Sequence, residues 1–427
     1  MSRILIKNGY VVDPSQGFEG LSDLYIENGR IGERASKIER EADIIYDARG
    51  LTILPGLVDL HVHLRDPGLE YKESIETGSA AAARGGVTSL VAMANTKPVA
   101  DCREIIEYVT KKAEETSPVH IYQAGAQTKD MAGEELTDMA DMVAAGVRAF
   151  SEDGKSVMTA ALQAASMAEA ARLGVPILSH CEDKSLVRGG VMNADDNAER
   201  LGLPGITNAV EDVITIRDIL LAKETGCHLH LCHCSTEGST DLIRLGQKMG
   251  VSLSAEVCPH HFILTSDDIP GDDGNYKMNP PLRTRRDVEA LKAALADGTI
   301  DCISTDHAPH AVEEKNKGFL KSAFGIVGIE TSAALTYTYL VRPGILTLMQ
   351  MAEKMSLNPA KVLGIEGGSL QAGAPADLAV FDFEQEYVID PEEFMSKGTN
   401  TPFAGWKVYG RTRLTICGGD IVWEDMT

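Results

Sequence analysis

Residues 59–68 read D-L-H-V-H-L-R-D-P-G, and His61 and His63 within that run are two positions apart. On an extended strand, side chains two apart point to the same side. Two imidazoles at that spacing can reach one metal ion from a single short segment. The residues just before, Gly56–Leu60, are largely apolar with an extended pattern, and Pro67-Gly68 breaks the strand just after. A pair of ligating nitrogens at the end of a buried strand points to an enzyme centre. An H-x-H pair alone is a weak signal and needs further ligands.

Those ligands need a scaffold, and the chain repeats one. Between about residue 56 and residue 310 a short apolar run, a helical stretch and often a glycine recur eight times. The runs are Leu57–His63, Val87–Ala94, His120–Ala126, Val147–Ser151, Pro176–Cys181, His228–Cys234, Val251–Val257 and Asp301–Thr305. Helical patterns lie between them, among them Ile75–Arg84, Cys102–Glu115, Val157–Leu173, Val210–Thr225 and Leu242–Met249. Gly86, Gly146, Gly174, Gly226, Gly250 and Gly298 read as helix C-caps. Eight strands alternating with helices predict a (β/α)8 TIM barrel over residues 56–364. The competing open, doubly wound sheet lacks a glycine-rich phosphate fingerprint here. The ends differ from the barrel. Residues 1–55 and 365–427 carry strand patterns (Ile4–Val11, Asp23–Ile26, Ile44–Tyr46; Leu378–Phe381, Lys407–Tyr409, Leu414–Cys417) with turns at Asn28-Gly29 and Gly418-Gly419. Chain ends commonly lie close together, so the two segments are expected to form one small composite β-sandwich.

In such a barrel, catalytic residues sit at the carboxyl ends of strands. His61 and His63 end run one, Phe150-Ser151-Glu152-Asp153-Gly154 ends run four, and Ser179-His180-Cys181 ends run five. Cys232-His233-Cys234 ends run six, and Ser304-Thr305-Asp306-His307-Ala308-Pro309-His310 ends run eight. Each histidine alone has a bland reading as a satisfied polar residue; together the four, with two carboxylates, read as a metal site. Imidazole nitrogen and carboxylate oxygen suit zinc, but six ligands are too many for one tetrahedral ion. Two Zn2+ ions fit: His61, His63 and Asp306 on one, His180 and His233 on the other, with Asp153 and a hydroxide bridging. A metal pair lowers the pKa of that water and polarises a carbonyl. Asp306 is then placed to take the hydroxide's proton and pass it to a leaving nitrogen. Glu152, beside Asp153, and Lys155, two residues beyond, are alternative bridges.

These motifs resemble the dihydroorotases of the amidohydrolase superfamily over essentially the whole chain. The carrying segments are H-V-H-L-R-D-P-G (61–68), M-A-N-T-K-P (93–98), F-S-E-D-G (150–154), S-H (179–180), C-H-C-S (232–235), M-N-P-P-L-R (278–283) and D-H-A-P-H (306–310). The resemblance implies a binuclear zinc enzyme that interconverts N-carbamoyl-L-aspartate and L-dihydroorotate in de novo pyrimidine synthesis. It assigns the substrate's carboxylate to Arg65, Asn95 and His310, and further substrate contacts to His63, Asn279, Phe324 and Gly325. Many relatives bridge their metals with a carboxylated lysine. Run four here resembles the bacterial branch with an aspartate instead. Ala94 stands where relatives commonly carry proline. The planar fork of Arg65 suits a carboxylate. Ala311–Ala323, charged and containing Gly318, suits either a mobile lid or an ordinary solvated loop. An allantoinase or hydantoinase on the same scaffold is the nearest rival, and typically lacks an arginine at the position of Arg65. An inactive scaffold partner of aspartate carbamoyltransferase is another, disfavoured because all six ligands are present.

The bulk composition agrees with a soluble enzyme. The chain has 427 residues, with 40 basic against 63 acidic residues for a net charge of −23, which argues against nucleic-acid or anionic-membrane partners. No apolar stretch is long enough to span a bilayer, and Met1–Lys7 reads as a strand rather than a signal peptide. The eight cysteines lack framework spacing, which suits a reducing, cytoplasmic location. A homodimer is expected, with contact to aspartate carbamoyltransferase compatible. Other motifs are set aside: Gly154-Lys155-Ser156 lacks the first glycine of a phosphate loop, and Cys227–Cys234 is too tightly alternating for a zinc knuckle. His228, His230, His260, His261 and His307 read as supporting residues.

Overall fold

A computed structural model of the chain describes residues 2–425. Eight parallel strands follow one another around a barrel: Leu57–Val62, Val87–Ala92, His120–Gln123 continued by Gly125–Ala126, Phe150–Ser151, Ile177–Ser179, Leu229–Leu231, Leu253–Val257 and Cys302–Ile303. The last strand closes on the first through a parallel bridge between Val62 and His307, where His63 N donates to His307 O at 2.8 Å. Each strand lies at one of the eight apolar runs. The first two are buried at every position, as strands covered on both faces must be.

The connecting helices begin where the side chains can cap them. Ser74 accepts from Thr77 N at the start of Ile75–Arg84. Arg103–Thr116 turns Ile106, Val109 and Ala113 inward, an apolar stripe at helical spacing. Glu237–Lys248 starts five residues before the expected Leu242, because the Thr236 side chain accepts from Ser239 N and nucleates it there. Gly174 ends Ala160–Leu173 in a left-handed conformation at φ 71°, which a side chain would strain. Beneath the fourth strand end, Phe150 is fully buried, worth about 1.5–3 kcal/mol of hydrophobic stabilisation.

The chain ends share one eight-stranded sheet. Its order is Asp420–Glu424, Lys407–Cys417, Leu378–Val388, Thr52–Pro55, Ile4–Asp13, Phe18–Glu27 and Arg30–Ala35, with Ile44–Asp47 also against Ile4–Asp13. Thr52–Pro55 joins the halves, pairing parallel with Tyr10-Val11 and antiparallel with Leu378–Phe381. Ile6, Val11, Ile26, Ile53, Val380 and Ile416 are among its shared apolar core. Two strands expected separately, Lys407–Tyr409 and Leu414–Cys417, form one continuous strand, which passes Gly410 at φ 108°. Asp377 O accepts from Gly56 N at 2.9 Å, so this sheet anchors the start of the first barrel strand and, through it, His61 and His63. Among the described residues no helix is long and apolar enough to cross a membrane.

Candidate active site

The strand ends converge on one buried carboxylate. Asp153 Oδ1 lies 3.3 Å from His61 Nε2, 3.4 Å from His180 Nδ1 and 3.8 Å from His233 Nε2, and Oδ2 lies 3.5 Å from His63 Nε2. Asp306 Oδ1 stands 3.1 Å from His63 Nε2 and 3.6 Å from His61 Nε2. The six residues chosen from strand ends are thus neighbours in space, all at most 6 % exposed. Three non-glycine residues here, Arg65, His233 and Asp306, have φ of 61°, 34° and 48°, backbone strain that the packed mouth holds in place.

Neighbouring side chains decide which nitrogen each ring presents. His61 Nδ1 is 3.0 Å from Glu256 Oε1, so it carries the proton and turns Nε2 toward Asp153. His63 Nδ1 donates to Asn95 Oδ1 at 2.9 Å, which directs its Nε2 to Asp306, while Asn95 Nδ2 donates to Asp153 Oδ2 at 3.0 Å. His180 Nδ1 and His233 Nε2 face each other at 2.8 Å. Burial pushes the Asp153 carboxyl up, but His61, His180 and His233 hold it well below the usual carboxylate range. Burial likewise opposes ionisation of Asp306, yet His63 and the neighbouring imidazoles bring it to about 2. Both carboxylates are therefore anionic ligands in waiting.

The donor set suits divalent cations. His61 Nε2 and His180 Nε2 are buried with no hydrogen-bond partner among the described residues, a costly state for a polar atom that a ligand would relieve. Ligand atoms of His61, His63 and Asp306 lie within 4.8 Å of one another, as do those of His61, Asp153 and His233. The alternative bridges point elsewhere. Glu152 accepts from Gln127 N and Thr128 N, each at 3.1 Å, and from the Thr128 hydroxyl. The exposed Lys155 donates to Asp130 O at 3.3 Å.

Above this cluster a cavity of about 220 Å3 is lined by His63, Arg65, Asn95, Asp153, His180, Asn279, Asp306, His310, Phe324 and Gly325 among others, and so by every residue expected to touch a substrate. Arg65 is 8 % exposed; its Nε donates to Pro309 O at 3.3 Å and its Nη2 lies 3.4 Å from His310 Nε2, while among the described residues no carboxylate lies within ion-pair distance of it. Burial, with Arg65, Lys72 and Lys315 nearby, lowers His310 to about 3, so its ring is neutral, and Nε2 donates to Phe324 O at 2.7 Å. Asn279 Nδ2 donates to Glu182 Oε1 at 2.9 Å.

Of the five supporting histidines, His228, His230, His261 and His307 have hydrogen-bond partners, whereas His260 Nε2 is buried with none among the described residues. His228 sits between Ser252 and Ser254, and His307 reaches Glu73. His261 Nε2 is held by Pro280 O at 2.9 Å. His230 Nε2 lies 3.1 Å from Glu256 Oε2, the carboxylate that also orients His61. Glu256, fully buried, was not anticipated from sequence. Its signal was a lone carboxylate inside the apolar run Val251–Val257.

A closed (β/α)8 barrel with a β-sheet domain, carrying four imidazoles and two carboxylates at its strand ends, defines an amidohydrolase. Comparison with known proteins narrows this. Residues 50–239 match the dihydro-orotase-like family. The chain is 47 % identical over 423 residues to a dihydroorotase of Staphylococcus epidermidis, covering 99 % of each chain. It is 46 % identical over 420 residues to one of Bacillus cereus, covering 98 % of each. Among solved structures it resembles the L-hydantoinase (dihydropyrimidinase) of Arthrobacter aurescens with a TM-score of 0.88 at 27 % identity, over 99 % of this chain and 96 % of that one. The D-hydantoinase of a Thermus species matches with a TM-score of 0.84 at 27 % identity, over 99 % and 95 %. The chain belongs to the dihydroorotase family.

Proposed function

We propose that the chain catalyses the reversible ring closure of N-carbamoyl-L-aspartate to L-dihydroorotate, with two zinc ions held by His61, His63, Asp153, His180, His233 and Asp306. The observation that carries the substrate class is Arg65, a buried guanidinium in the pocket with no carboxylate partner among the described residues. A buried charge is costly unless paired, and a carboxylate-bearing substrate would pair it. A neutral hydantoin would leave it alone. Family membership at 47 % identity supports the same reading.

Two divalent cations, when bound, would make a water nucleophilic near neutral pH and polarise the amide carbonyl. The chain's residues do the rest. Arg65, with the neutral His310 beside it, fixes the substrate's carboxylate and so the ring's orientation over the strand ends. Asp306 holds its proton at Oδ1 or Oδ2 between attack and departure, taking it from water and returning it to the amide nitrogen as the C–N bond breaks. In ring closure the order reverses. Asn95 links His63 to Asp153, so the two metal-facing groups keep one geometry through the cycle.

The reading also includes a cytoplasmic location, supported by eight free cysteines. It includes a homodimer and contact with aspartate carbamoyltransferase, both read out by sedimentation of the chain alone and with that enzyme. The deciding experiment measures dihydroorotate ring opening by ultraviolet absorbance, with zinc content determined in parallel. Turnover with about two zinc per chain is expected. Zinc without dihydroorotate turnover, but with hydantoin cleaved, would move the assignment to the sister enzymes.

A further inference from the structure

Lys315 lies in the loop after the last barrel strand, in the charged stretch Glu313-Glu314-Lys315-Asn316-Lys317, yet it is only 4 % exposed. Its ammonium donates to three backbone carbonyls: Ala323 O and Gly325 O at 2.8 Å, and Lys277 O at 3.1 Å. An ammonium has three N–H donors, so all three are satisfied. No carboxylate among the described residues pairs with it. The three acceptors come from two segments that line the pocket: Gly325 with its neighbour Phe324, and Lys277, two residues before Asn279. Around this point the wall is tied further. Gly325 N donates to Lys277 O at 3.0 Å, Asn400 Nδ2 donates to Gly325 O at 3.1 Å, and Lys277 Nζ donates to Leu320 O at 3.0 Å.

We propose that Lys315 is a positioning residue for substrate binding: its ammonium clamps Ala323–Gly325 against Lys277 and so sets the pocket wall formed by Phe324, Gly325 and Asn279. This rests on the dihydroorotase reading of the pocket. The loop Ala311–Ala323 is then an anchored wall whose fixed point is one buried amine. Burying a lysine among carbonyls is costly to assemble, and its return is a binding site arranged before the substrate arrives. Lys315 touches neither the strand-end cluster nor the reacting atoms, so it acts on affinity rather than on the chemical step.

The test compares Lys315→Met, which keeps the stem and removes the amine, with Lys315→Arg, whose planar fork cannot direct three N–H groups onto converging carbonyls. The metal-loaded full chain is used throughout. KM for dihydroorotate is expected to rise about tenfold or more in Lys315→Met, with kcat within about threefold of wild type, and less steeply in Lys315→Arg. Trypsin cleavage after the exposed Lys317 and Lys321 should speed up in parallel. A folded Lys315→Met with wild-type KM and wild-type protease resistance overturns the proposal, as does a loss confined to kcat. If neither variant folds, Lys315 is a folding residue and the proposal also falls. Wild-type protein without dihydroorotate turnover would count against the functional reading alone, because the cleavage rates still report whether Lys315 holds the loop.

Discussion

Glu256 Oε1 lies 3.0 Å from His61 Nδ1, and this contact favours the tautomer in which His61 turns a bare Nε2 toward Asp153, 3.3 Å away. The same carboxylate meets His230 Nε2 at 3.1 Å and the backbone N of His233 at 3.3 Å. One buried group on the seventh strand therefore fixes ligands carried by the first and the sixth. Burial pushes Glu256 up, but His230 and His61 hold it well below the usual range, so it stays ionised where it orients the ring.

Replacing that carboxylate with an amide should loosen the metal site without unfolding the barrel. In Glu256→Gln, metal affinity is expected to fall by about 10–100-fold, the usual cost of losing a group that orients a ligand. Zinc retained after dialysis against graded chelator measures it. Wild-type retention would mean that His61 is oriented by something else.

Asp306 is the group assigned to proton transfer, and its neighbour His63 keeps it ionised at neutral pH. Asp306→Asn removes the base while nearly preserving shape. Turnover of dihydroorotate should drop by about 10²–10⁴, the span typical of a lost general base. A variant retaining a tenth or more of the wild-type rate would exclude the role.

Arg65 makes a separable prediction, because it reads the substrate rather than the reaction. Arg65→Met should lower kcat/KM for dihydroorotate by about 10–100-fold, corresponding to about 1.5–3 kcal/mol for a hydrogen-bonded charge. Turnover of a neutral hydantoin, measured on both proteins, should not fall with it. Equal losses on both substrates would show that Arg65 supports the fold of the mouth instead.

The barrel and six of its strand-end residues were legible in the sequence because both follow simple periods. Apolar runs alternate with helical stretches, and chemistry-bearing residues fall where the runs stop. Glu256 was not legible, since a carboxylate inside an apolar run has no visible partner until the fold brings His61 and His230 to it. Lys315 was hidden for the opposite reason: its neighbours in sequence are charged and solvated, and only the tertiary fold buries it. Lys155 and Glu152 could be set apart from Asp153 only by direction, which spacing in a loop does not encode. The register of the terminal sheet was also out of reach, because Thr52–Pro55 pairs with strands from both ends of the chain.

At the opposite end of the barrel from the site, His120 begins the third strand and its Nε2 lies 3.3 Å from Asp377 Oδ2. Asp377 also accepts from Gly418 N at 2.6 Å through Oδ1, so this pair fastens the barrel to the terminal sheet. The bond to Asp377 raises the pKa of His120, with burial opposing. A histidine whose folded pKa exceeds its unfolded value contributes stability in full below the unfolded value, near 6.5, and loses it as pH rises through the folded value. The side chain is 44 % exposed, so solvent screening limits the contribution to about 1 kcal/mol or less. His120→Asn should therefore melt roughly 1–2 °C below wild type at a pH well under 6.5, and the gap should close as pH is raised past the folded pKa. Thermal denaturation of both proteins across pH 5.5 to 9 measures the difference. A gap that widens with pH would mean that His120 is held neutral, and that Asp377 is not its electrostatic partner.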